Sequence, residues 1–267
     1  MTEPKIITFD IERASALVEV WQLKQHGWIP PQSIIVPTRT ICLAWKVYGE
    51  DETHFSAEWD PYDDGDPAYA VRSDRETYAG HGKMIEVAHK VFDEADYLVG
   101  WNSASFDVKN LKSHMIEYGL KPPSPHIDID LIKVSRSNFG FMSHKLQEVA
   151  QRLGHEGKYQ TGFGLWTKLR WSDGEELENA RKLMRTYNIQ DVIETEKIFD
   201  DFRPWIPRLN LYNDPDELIC RKCKSTNLRW EGYRRAATRL YRRFQCKDCG
   251  GWGQSNHYDS ATETSSA

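Results

Sequence analysis

Two carboxylates lie inside the first apolar segment of the chain, and they limit what this segment can become. Asp10 and Glu12 stand two positions apart in the stretch Ile7–Glu12. Alternate residues of a β-strand point to the same face, so both side chains project together. A buried strand with two charges on one face needs metal ions or other cations to neutralise them. The segment therefore predicts a buried strand that carries a cation site.

Two later segments supply further acids and a tyrosine. Asp107 is predicted to begin a helix after the short apolar strand Tyr97–Gly100, and Tyr187 and Asp191 lie four residues apart on a long predicted helix. Residues i and i+4 of a helix share a face, so three separate elements can converge on one pocket. Carboxylates are the ligands that Mg²⁺ and Mn²⁺ prefer. Two such ions about 3.5–4 Å apart can activate a water and stabilise the leaving oxygen at one phosphate.

The apolar pattern predicts a mixed α/β domain. A first strand is followed by an antiparallel hairpin of strands at Thr40–Tyr48 and Thr53–Glu58. Helix, strand and helix come next, and the last element is a long helix over Glu175–Phe202. The insertion Arg13–Arg39 contains prolines that indicate a loop. Several α/β folds are compatible with this order, and the order of the acidic motifs selects among them.

The three motifs and one further segment are similar to those of a nuclease family. They are Ile7–Glu12, Leu98–Asp107 and Tyr187–Thr195, with His144–Gly154 between the second and third motifs. The chain resembles the four-carboxylate, tyrosine-type (DEDDy) branch of the proofreading 3′→5′ exonucleases. Within it, the chain is most similar to the exonuclease domain of family B DNA polymerases and to stand-alone, often phage-encoded, exonucleases. This resemblance, over residues 4–202, implies a ribonuclease H-like mixed sheet flanked by helices.

The resemblance also implies the roles of the acidic residues. It assigns two Mg²⁺ or Mn²⁺ ions to a ligand set of Asp10, Glu12, Asp107 and Asp191. Tyr187 is expected to position the attacking water. These five residues form the expected catalytic set.

Substrate contacts follow from the same resemblance. Asn102 is expected to hydrogen-bond the 3′-terminal nucleotides and Phe106 to stack on them, although a turn role and core packing are the alternatives. Arg13 stands where many relatives have a threonine, and it could hold a phosphate instead. Lys145 and Lys158 lie where relatives place a phosphate-binding lysine, with simple solvation as the alternative.

Four of the five cysteines form two CxxC pairs. Cys220 and Cys223 are separated from Cys246 and Cys249 by 22 residues. In a cytosolic chain such pairs bind zinc more often than they form disulfides. Four thiolates close a tetrahedral site, so we predict one structural Zn²⁺ in a small C-terminal zinc ribbon. A redox-active cysteine pair is the alternative.

Charge is distributed unequally along the chain. Between Cys220 and Cys249 there are ten basic and two acidic residues, a net charge of +8. The segment before Cys220 has 25 basic and 36 acidic residues, a net charge of −11. A basic module beside an acidic body indicates contact with nucleic acid. Its arginines alternate with aromatic residues that could stack bases or form the core of the ribbon.

These patterns divide the chain into four segments. We expect an exonuclease domain at 1–204, a linker at 205–217, the zinc ribbon at 218–254 and a disordered tail at 255–267. No apolar run approaches the roughly 18 residues of a membrane span. The N-terminus does not resemble a signal peptide, so the sequence predicts a cytoplasmic protein of a cell, or of a host cell if it is phage-encoded.

The expected function is metal-dependent 3′→5′ exonuclease activity on DNA, preferably single-stranded, with release of nucleoside 5′-monophosphates. A separate polymerase or replication protein is the protein partner that the resemblance suggests. One alternative is an RNA-trimming exoribonuclease of the same superfamily. Another is a transposase- or resolvase-like endonuclease that uses Asp10, Asp107 and a late acid such as Glu194. A third is a non-catalytic protein that binds through its ribbon.

Overall fold

The structure is a computed structural model whose described residues are 3–21, 27–60, 71–72, 77–78, 80–155, 162, 164–214 and 216–261. They fall into two units. One unit is Lys5–Ile198, and the other combines Met1–Pro4 with Phe199–Ala267. Lys158, a candidate phosphate-binding lysine with solvation as the favoured alternative, lies outside the described residues.

The first unit alternates strands and helices. Its strands are β1 (Ile6–Ala14), β2 (Leu17–Val18), β3 (Ile34–Val36), β4 (Arg39–Val47), β5 (His54–Ala57), β6 (Val71–Arg72), β7 (Thr77–Tyr78), β8 (Tyr97–Gly100) and β9 (Ile127–Asp130). Its helices are α1 (Gly80–Glu94), α2 (Asp107–Glu117), α3 (Leu131–Asn138), α4 (Leu146–Arg152), α5 (Gly164–Trp171) and α6 (Gly174–Phe202), whose last four residues belong to the second unit. None of the helices in the described ranges has both the length and the apolar character needed to cross a bilayer.

Five of these strands form one mixed sheet in the order β5-β4-β1-β8-β9. β1 pairs antiparallel with β4 and parallel with β8, β4 pairs antiparallel with β5, and β8 pairs parallel with β9. The predicted antiparallel hairpin and the mixed α/β sheet are therefore confirmed. Since β1 is the central strand, residues on it are covered by neighbours on both sides.

Alternation along β1 sends its two sets of side chains to different layers. Ile7, Phe9 and Ile11 are buried in a core shared with α1 and α2. The rings of Phe9 and Phe92 meet edge to face, with centroids 5.2 Å apart. Asp10 and Glu12 occupy the alternate positions and therefore the opposite face. A second core cluster, built from β4, β5, α5 and α6, supplies the packing of α6.

Several elements of the first unit were not expected from the sequence. The insertion Arg13–Arg39, predicted as a loop, contains the antiparallel pair β2–β3. Helices α3 and α5 were not predicted from the sequence. Helix α3 is capped by Asp130, whose Oδ1 accepts a 3.3 Å hydrogen bond from Ile132 N. Each helix has only eight residues. Two turns are too few to show a repeating apolar stripe in the sequence.

The second unit contains an antiparallel sheet in the order β10-β11-β12, formed by β10 (Leu228–Arg235), β11 (Arg239–Cys246) and β12 (Trp252–Ala261). The predicted disorder of 255–267 is wrong for the first part of that segment, because β12 continues to Ala261. Its polar sequence lacks an apolar signal, but the ladder with β11 satisfies its backbone. Residues 262–267 lie outside the described part of the chain.

Candidate active site

Three of the predicted metal ligands meet at one point. Asp10 and Glu12 of β1 and Asp191 of α6 each offer a carboxylate oxygen, and these oxygens lie within 4.8 Å of one another. The first two side chains are half-buried and Asp191 is only 3% exposed. Carboxylates this close repel each other when no cation lies between them. Oxygen donors suit Mg²⁺ and Mn²⁺, so this donor set fits a divalent cation.

Asp107 lies beside this cluster, at the first position of α2. Its Oδ1 accepts a 3.4 Å hydrogen bond from the backbone N–H of Ile11, the residue between the two β1 carboxylates. Burial raises the pKa of Asp107 to about 7, and the Ile11 N–H partly opposes this shift. A cation in the cluster would favour the charged carboxylate. The role of Asp107 as a fourth ligand remains a prediction.

Asn188 is a residue of the site that the sequence pattern did not reveal. Its Nδ2 donates a 2.7 Å hydrogen bond to Asp10 Oδ2, and its side chain is fully buried. It lies three residues before Asp191, so both side chains share a face of α6. Among the described residues, Asn188 Oδ1 has no hydrogen-bond partner. The available signal was a polar amide at this helical spacing from a predicted ligand.

Tyr187 precedes Asp191 by one turn of α6. Its ring packs edge-on against Trp166 of α5, with centroids 5.9 Å apart. Leu165 and Met184 belong to the same buried cluster. This packing holds the ring on the face of α6 that also carries Asp191. The positioning of an attacking water by Tyr187 remains a prediction.

A tight loop joins β8 to α2 and holds Asn102. A Cβ at Gly100 would lie 2.5 Å from Ser103 Cβ, so the loop folds back too closely for a side chain at that position. Asn102 has a φ of 63°, a left-handed conformation that asparagine tolerates. Its backbone N–H donates to Asp130 Oδ1 at 2.9 Å, and its Oδ1 accepts from Ser105 Oγ at 2.7 Å. The exposed Asn102 side chain is thereby preoriented.

Phe106 and Arg13 form a second pair of predicted substrate residues. Phe106 is 43% exposed, which rules out the core-packing alternative. The Arg13 guanidinium lies over its ring, 5.6 Å from the centroid, and Arg13 Nη2 donates to Thr38 Oγ1 at 2.7 Å. The β1–β4 register shifts between Glu12 and Arg13, and such bulges re-aim side chains. Burial lowers the pKa of Arg13, and the nearby Asp107 carboxylate opposes this shift.

Lys145 is exposed at the start of α4. Together with Asn102 and Arg136 it lines an open cavity of about 430 Å³. His144 lines the same cavity, and its Nδ1 is 2.7 Å from Ser135 Oγ. The structure thus brings two of the predicted substrate contacts, Asn102 and Lys145, to one cavity.

The four cysteines of the two CxxC pairs form a second candidate metal site, in the C-terminal unit. Their Sγ atoms lie within 4.8 Å of one another, with 3.7 Å between Cys220 and Cys249 and 3.6 Å between Cys223 and Cys246. Tetrahedral Zn²⁺ with Zn–S bonds of about 2.3 Å places its sulfurs about 3.8 Å apart. A disulfide requires about 2.05 Å. The donor set fits one structural Zn²⁺ and is consistent with the predicted zinc ribbon.

Similarity to known proteins was found at two levels. The structure is similar to the family B DNA polymerase from the hyperthermophilic archaeon Pyrobaculum calidifontis, with a TM-score of 0.49 and 17% sequence identity over 76% of this chain. The match covers 25% of the polymerase, so the chain spans about a quarter of its length. None of the curated protein sequences matches the chain. The family model RNase_H_2, described as the RNase_H superfamily, matches residues 62–203, which is more than half of the chain. The chain therefore belongs to the RNase H superfamily, and the predicted ribonuclease H-like fold is confirmed.

Proposed function

We propose that this chain is a metal-dependent 3′→5′ exonuclease that acts on DNA, preferably single-stranded, and releases nucleoside 5′-monophosphates. The main support is the meeting of Asp10, Glu12 and Asp191 within 4.8 Å. Membership of the RNase H superfamily supports phosphodiester hydrolysis as the class of reaction. The direction of digestion and the preference for DNA rest on the resemblance of the three motifs to proofreading exonucleases.

In this reaction a water oxygen attacks the terminal phosphorus and the P–O3′ bond breaks. The released nucleotide keeps the phosphate on its 5′ oxygen, and the shortened strand gains a 3′ hydroxyl. Two Mg²⁺ or Mn²⁺ ions held by the carboxylates would activate the water and stabilise the leaving oxygen. Asn188 fixes the Asp10 carboxylate through its 2.7 Å hydrogen bond. The Tyr187 hydroxyl orients the attacking water, and Trp166 keeps the tyrosine ring in place.

Four residues bind the 3′ end in this proposal. The exposed Phe106 ring stacks on the terminal base, and the Arg13 guanidinium beside it contacts a phosphate. Asn102 and Lys145, which line one cavity, hold the adjoining nucleotide. Stacking on Phe106 requires an unpaired base, so a single-stranded end is favoured.

The endonuclease alternative uses Glu194 as its late acid, together with Asp10 and Asp107. The hydrogen bonds of Glu194 favour a structural role within α6 instead. Glu194 Oε1 accepts hydrogen bonds from Gln190 Nε2 at 2.9 Å and from Lys197 Nζ at 2.8 Å. Both partners lie on α6 itself, so the carboxylate is engaged in local structure. In the described ranges, the acidic group that could hold a metal contains Asp191 and not Glu194.

The proposal is tested by digestion of 5′-labelled single-stranded DNA, matched duplex DNA and RNA with Mg²⁺ or Mn²⁺. We expect a ladder that shortens from the 3′ end of DNA. Asp10→Ala should be at least about a hundredfold slower, because it removes a ligand that stabilises developing charge. Asp51→Ala, which removes an exposed turn carboxylate, is the matched control. Faster digestion of RNA would change the substrate assignment, and nicking of closed circles without laddering would overturn the exonuclease assignment.

A further inference from the structure

The C-terminal unit has an arginine–aromatic face that the proposed hydrolysis does not use. It consists of Arg234, Arg239, Arg243, Trp252 and Tyr258. We propose that this face binds single-stranded nucleic acid, with unpaired bases stacked on the two rings and phosphates paired with the arginines. This inference rests on the proposed function only in taking nucleic acid as the ligand.

Strand register places these residues on one side of the sheet. Arg239 and Arg243 alternate along β11 and share a face. Arg234 lies opposite Tyr241, which in turn lies opposite Tyr258, and Arg243 lies opposite Gln254. Arg234 Nη1 donates to Gln254 Oε1 at 3.0 Å across the intervening strand. Side chains from all three strands thus form one continuous surface.

The other side of the sheet contains the small core of the ribbon. Phe244 is buried, and its ring packs edge-on against Trp230 with centroids 5.5 Å apart. A Cβ at Gly253 would lie 2.2 Å from Phe244 Cζ, so the ring covers that glycine. The aromatic residues of the ribbon are therefore divided between a core side and an exposed side. Trp252 and Tyr258 are the exposed rings on the side away from Phe244.

The exposed rings are each paired with an arginine. The guanidinium of Arg243 lies 4.9 Å from the ring centroid of Trp252, and that of Arg239 lies 4.9 Å from the ring centroid of Tyr258. Trp252 is 45% exposed and Tyr258 is 50% exposed. A guanidinium has five N–H donors. Arg243 uses its Nε for a 3.4 Å hydrogen bond to Glu231 O, and the Nη groups can reach phosphate oxygens. Each pair thus offers an aromatic ring on which a base can stack, beside an arginine that can bind a phosphate.

A basic cavity of about 620 Å³ adjoins these pairs within the same unit. Arg208 and Arg221 join Arg234, Arg243 and Trp252 in its wall, and none of the described lining residues is acidic. Arg208 has a φ of 56°, a conformation that is uncommon outside glycine and is often found at ligand sites. The volume lies within the usual range for a ligand site. Four arginines around such a cavity attract phosphates.

The combination favours a single strand over other anionic partners. Trp252 lies opposite Gln245 of β11 and Tyr258 lies opposite Tyr241, so the two rings are four β11 residues apart. This is about 13 Å, which is long enough for two or more nucleotides. In a duplex the base faces are hidden, so the rings would have no stacking partner. An acidic peptide could pair with the arginines but would leave the rings unused.

The test is fluorescence anisotropy of the full chain with a 5′-fluorescein-labelled oligothymidylate 12-mer and a duplex of equal length. The buffer contains neither Mg²⁺ nor Mn²⁺, and no chelator, so that zinc is retained. We expect tighter binding to the single strand. Trp252→Leu should weaken this binding at least about fivefold, because it removes one stacking surface.

The arginines are tested with a charge-matched pair of double variants. Arg234→Ala with Arg243→Ala should reduce the slope of log K against log salt by about 1.4, since about 0.7 is lost for each phosphate contact on a single strand. Arg235→Ala with Lys247→Ala removes the same charge from exposed positions outside the face, and should leave the slope near the wild-type value. Zinc content and circular dichroism verify that every variant is folded.

Three outcomes would overturn the inference: equal effects of the two double variants, unchanged binding by Trp252→Leu, or equally strong competition by polyglutamate. Cleavage is measured in parallel on a dinucleotide, which is held by the proposed active site and is too short to need the arginine–aromatic face. Failure of the wild type to cleave any substrate would remove the proposed function without affecting the anisotropy result. Normal cleavage with normal binding by Trp252→Leu would remove this inference alone.

Discussion

The acidic cluster depends on a neutral amide. Asn188 is fully buried and donates to the Asp10 carboxylate that shares a site with Glu12 and Asp191. One hydrogen bond from a fixed amide limits the rotation of that carboxylate. Partners of this kind commonly contribute 10–100-fold to metal affinity or activity. Asn188 is therefore a positioning residue in the proposed reaction.

Replacing Asn188 tests this role. We expect Asn188→Ala to raise the Mn²⁺ concentration for half-maximal hydrolysis by about 10–100-fold. The measurement is a Mn²⁺ titration of the initial rate. Gln190→Ala is the control, because it removes a hydrogen bond to Glu194 from the same helix and leaves Asp10 untouched. An unchanged Mn²⁺ requirement in Asn188→Ala would contradict the assignment.

A buried histidine, His81, is expected to make the stability of the fold depend on pH. His81 is fully buried, its Nδ1 is 2.7 Å from the Tyr118 hydroxyl, and its ring meets His114 edge-on with centroids 5.0 Å apart. Burial lowers the pKa of His81 to about 3, and the positive charges of His114 and Arg39 act in the same direction. The folded protein therefore keeps this ring neutral at pH values where the unfolded chain protonates it.

This pKa shift has a definite sign in pH-dependent stability. Between pH 3 and about 6.5 the unfolded state binds a proton that the folded state does not, so stability is complete above about pH 6.5 and falls below it. We expect His81 to account for about 2 kcal/mol of lost unfolding free energy between pH 6.5 and 5. Urea unfolding at both pH values should show a smaller loss for His81→Gln. His89→Gln, on the same helix but bonded to Lys121 O, should keep the wild-type loss; equal losses in both variants would refute the assignment.

Two secondary-structure elements, β1 and α6, supply all three carboxylates of the acidic cluster. β1 supplies Asp10 and Glu12, and a single stretch of α6 supplies Tyr187, Asn188 and Asp191. β1 is the central strand of the sheet. Ala180, Met184 and Tyr187 of α6 pack against buried residues of β4, β5 and α5. Both elements are therefore held in place by their neighbours. The same stretch of α6 thus provides a proposed metal ligand, the hydrogen-bond partner of a second proposed ligand and the proposed water-positioning hydroxyl.

Tyr187→Phe separates the hydroxyl from the ring. The ring should keep its contact with Trp166, so the melting temperature should remain close to the wild-type value. Hydrolysis should slow by about 10²–10⁴-fold, the usual contribution of a group that orients or activates a reacting water. Single-turnover rates on a 5′-labelled strand measure the effect. A variant with full activity would exclude Tyr187 from the reaction.

The sequence predicted these two elements because their patterns are long. A nine-residue strand and a 29-residue helix repeat their periods often enough to be read. The sequence did not predict helices α3 and α5 or the strand pair β2–β3. These elements are too short to repeat a helix or strand period often enough. The bond from Asn188 to Asp10 was missed as well, because it joins residues 178 positions apart and depends on the packing of α6 against the sheet. The bulge after Glu12 likewise gives no sequence signal.

At the scale of the whole molecule, the chain combines two units with different sources of stability. The first has extended apolar cores on both faces of its sheet. The second has a small core around Phe244 and Cys246, and units of this size depend on a bound metal for folding. The cysteine spacing predicted this candidate zinc site, because CxxC pairs determine their own local geometry. The extent of β12 was not predicted, because its polar residues are ordered by pairing with β11.

Loss of zinc should therefore affect one unit only. We expect Cys246→Ser to lose bound zinc and the slow amide exchange of β10–β12, while β1 and β4 keep theirs. Zinc analysis and hydrogen exchange with mass spectrometry measure both effects. Protection of β11 in zinc-free protein, or its loss from β1, would contradict this division.

The most direct test of the central claim is the Mn²⁺ dependence of hydrolysis in the wild type and in Asp191→Asn. This variant keeps the size of the side chain and removes one negative charge from the cluster. In metal-free buffer, we expect the wild type to shorten a 5′-labelled strand from its 3′ end only after Mn²⁺ is added. We expect Asp191→Asn to be at least about a hundredfold slower with an unchanged melting temperature. Hydrolysis in the absence of any divalent cation, or a fully active Asp191→Asn, would contradict the assignment of this cluster as the catalytic metal site.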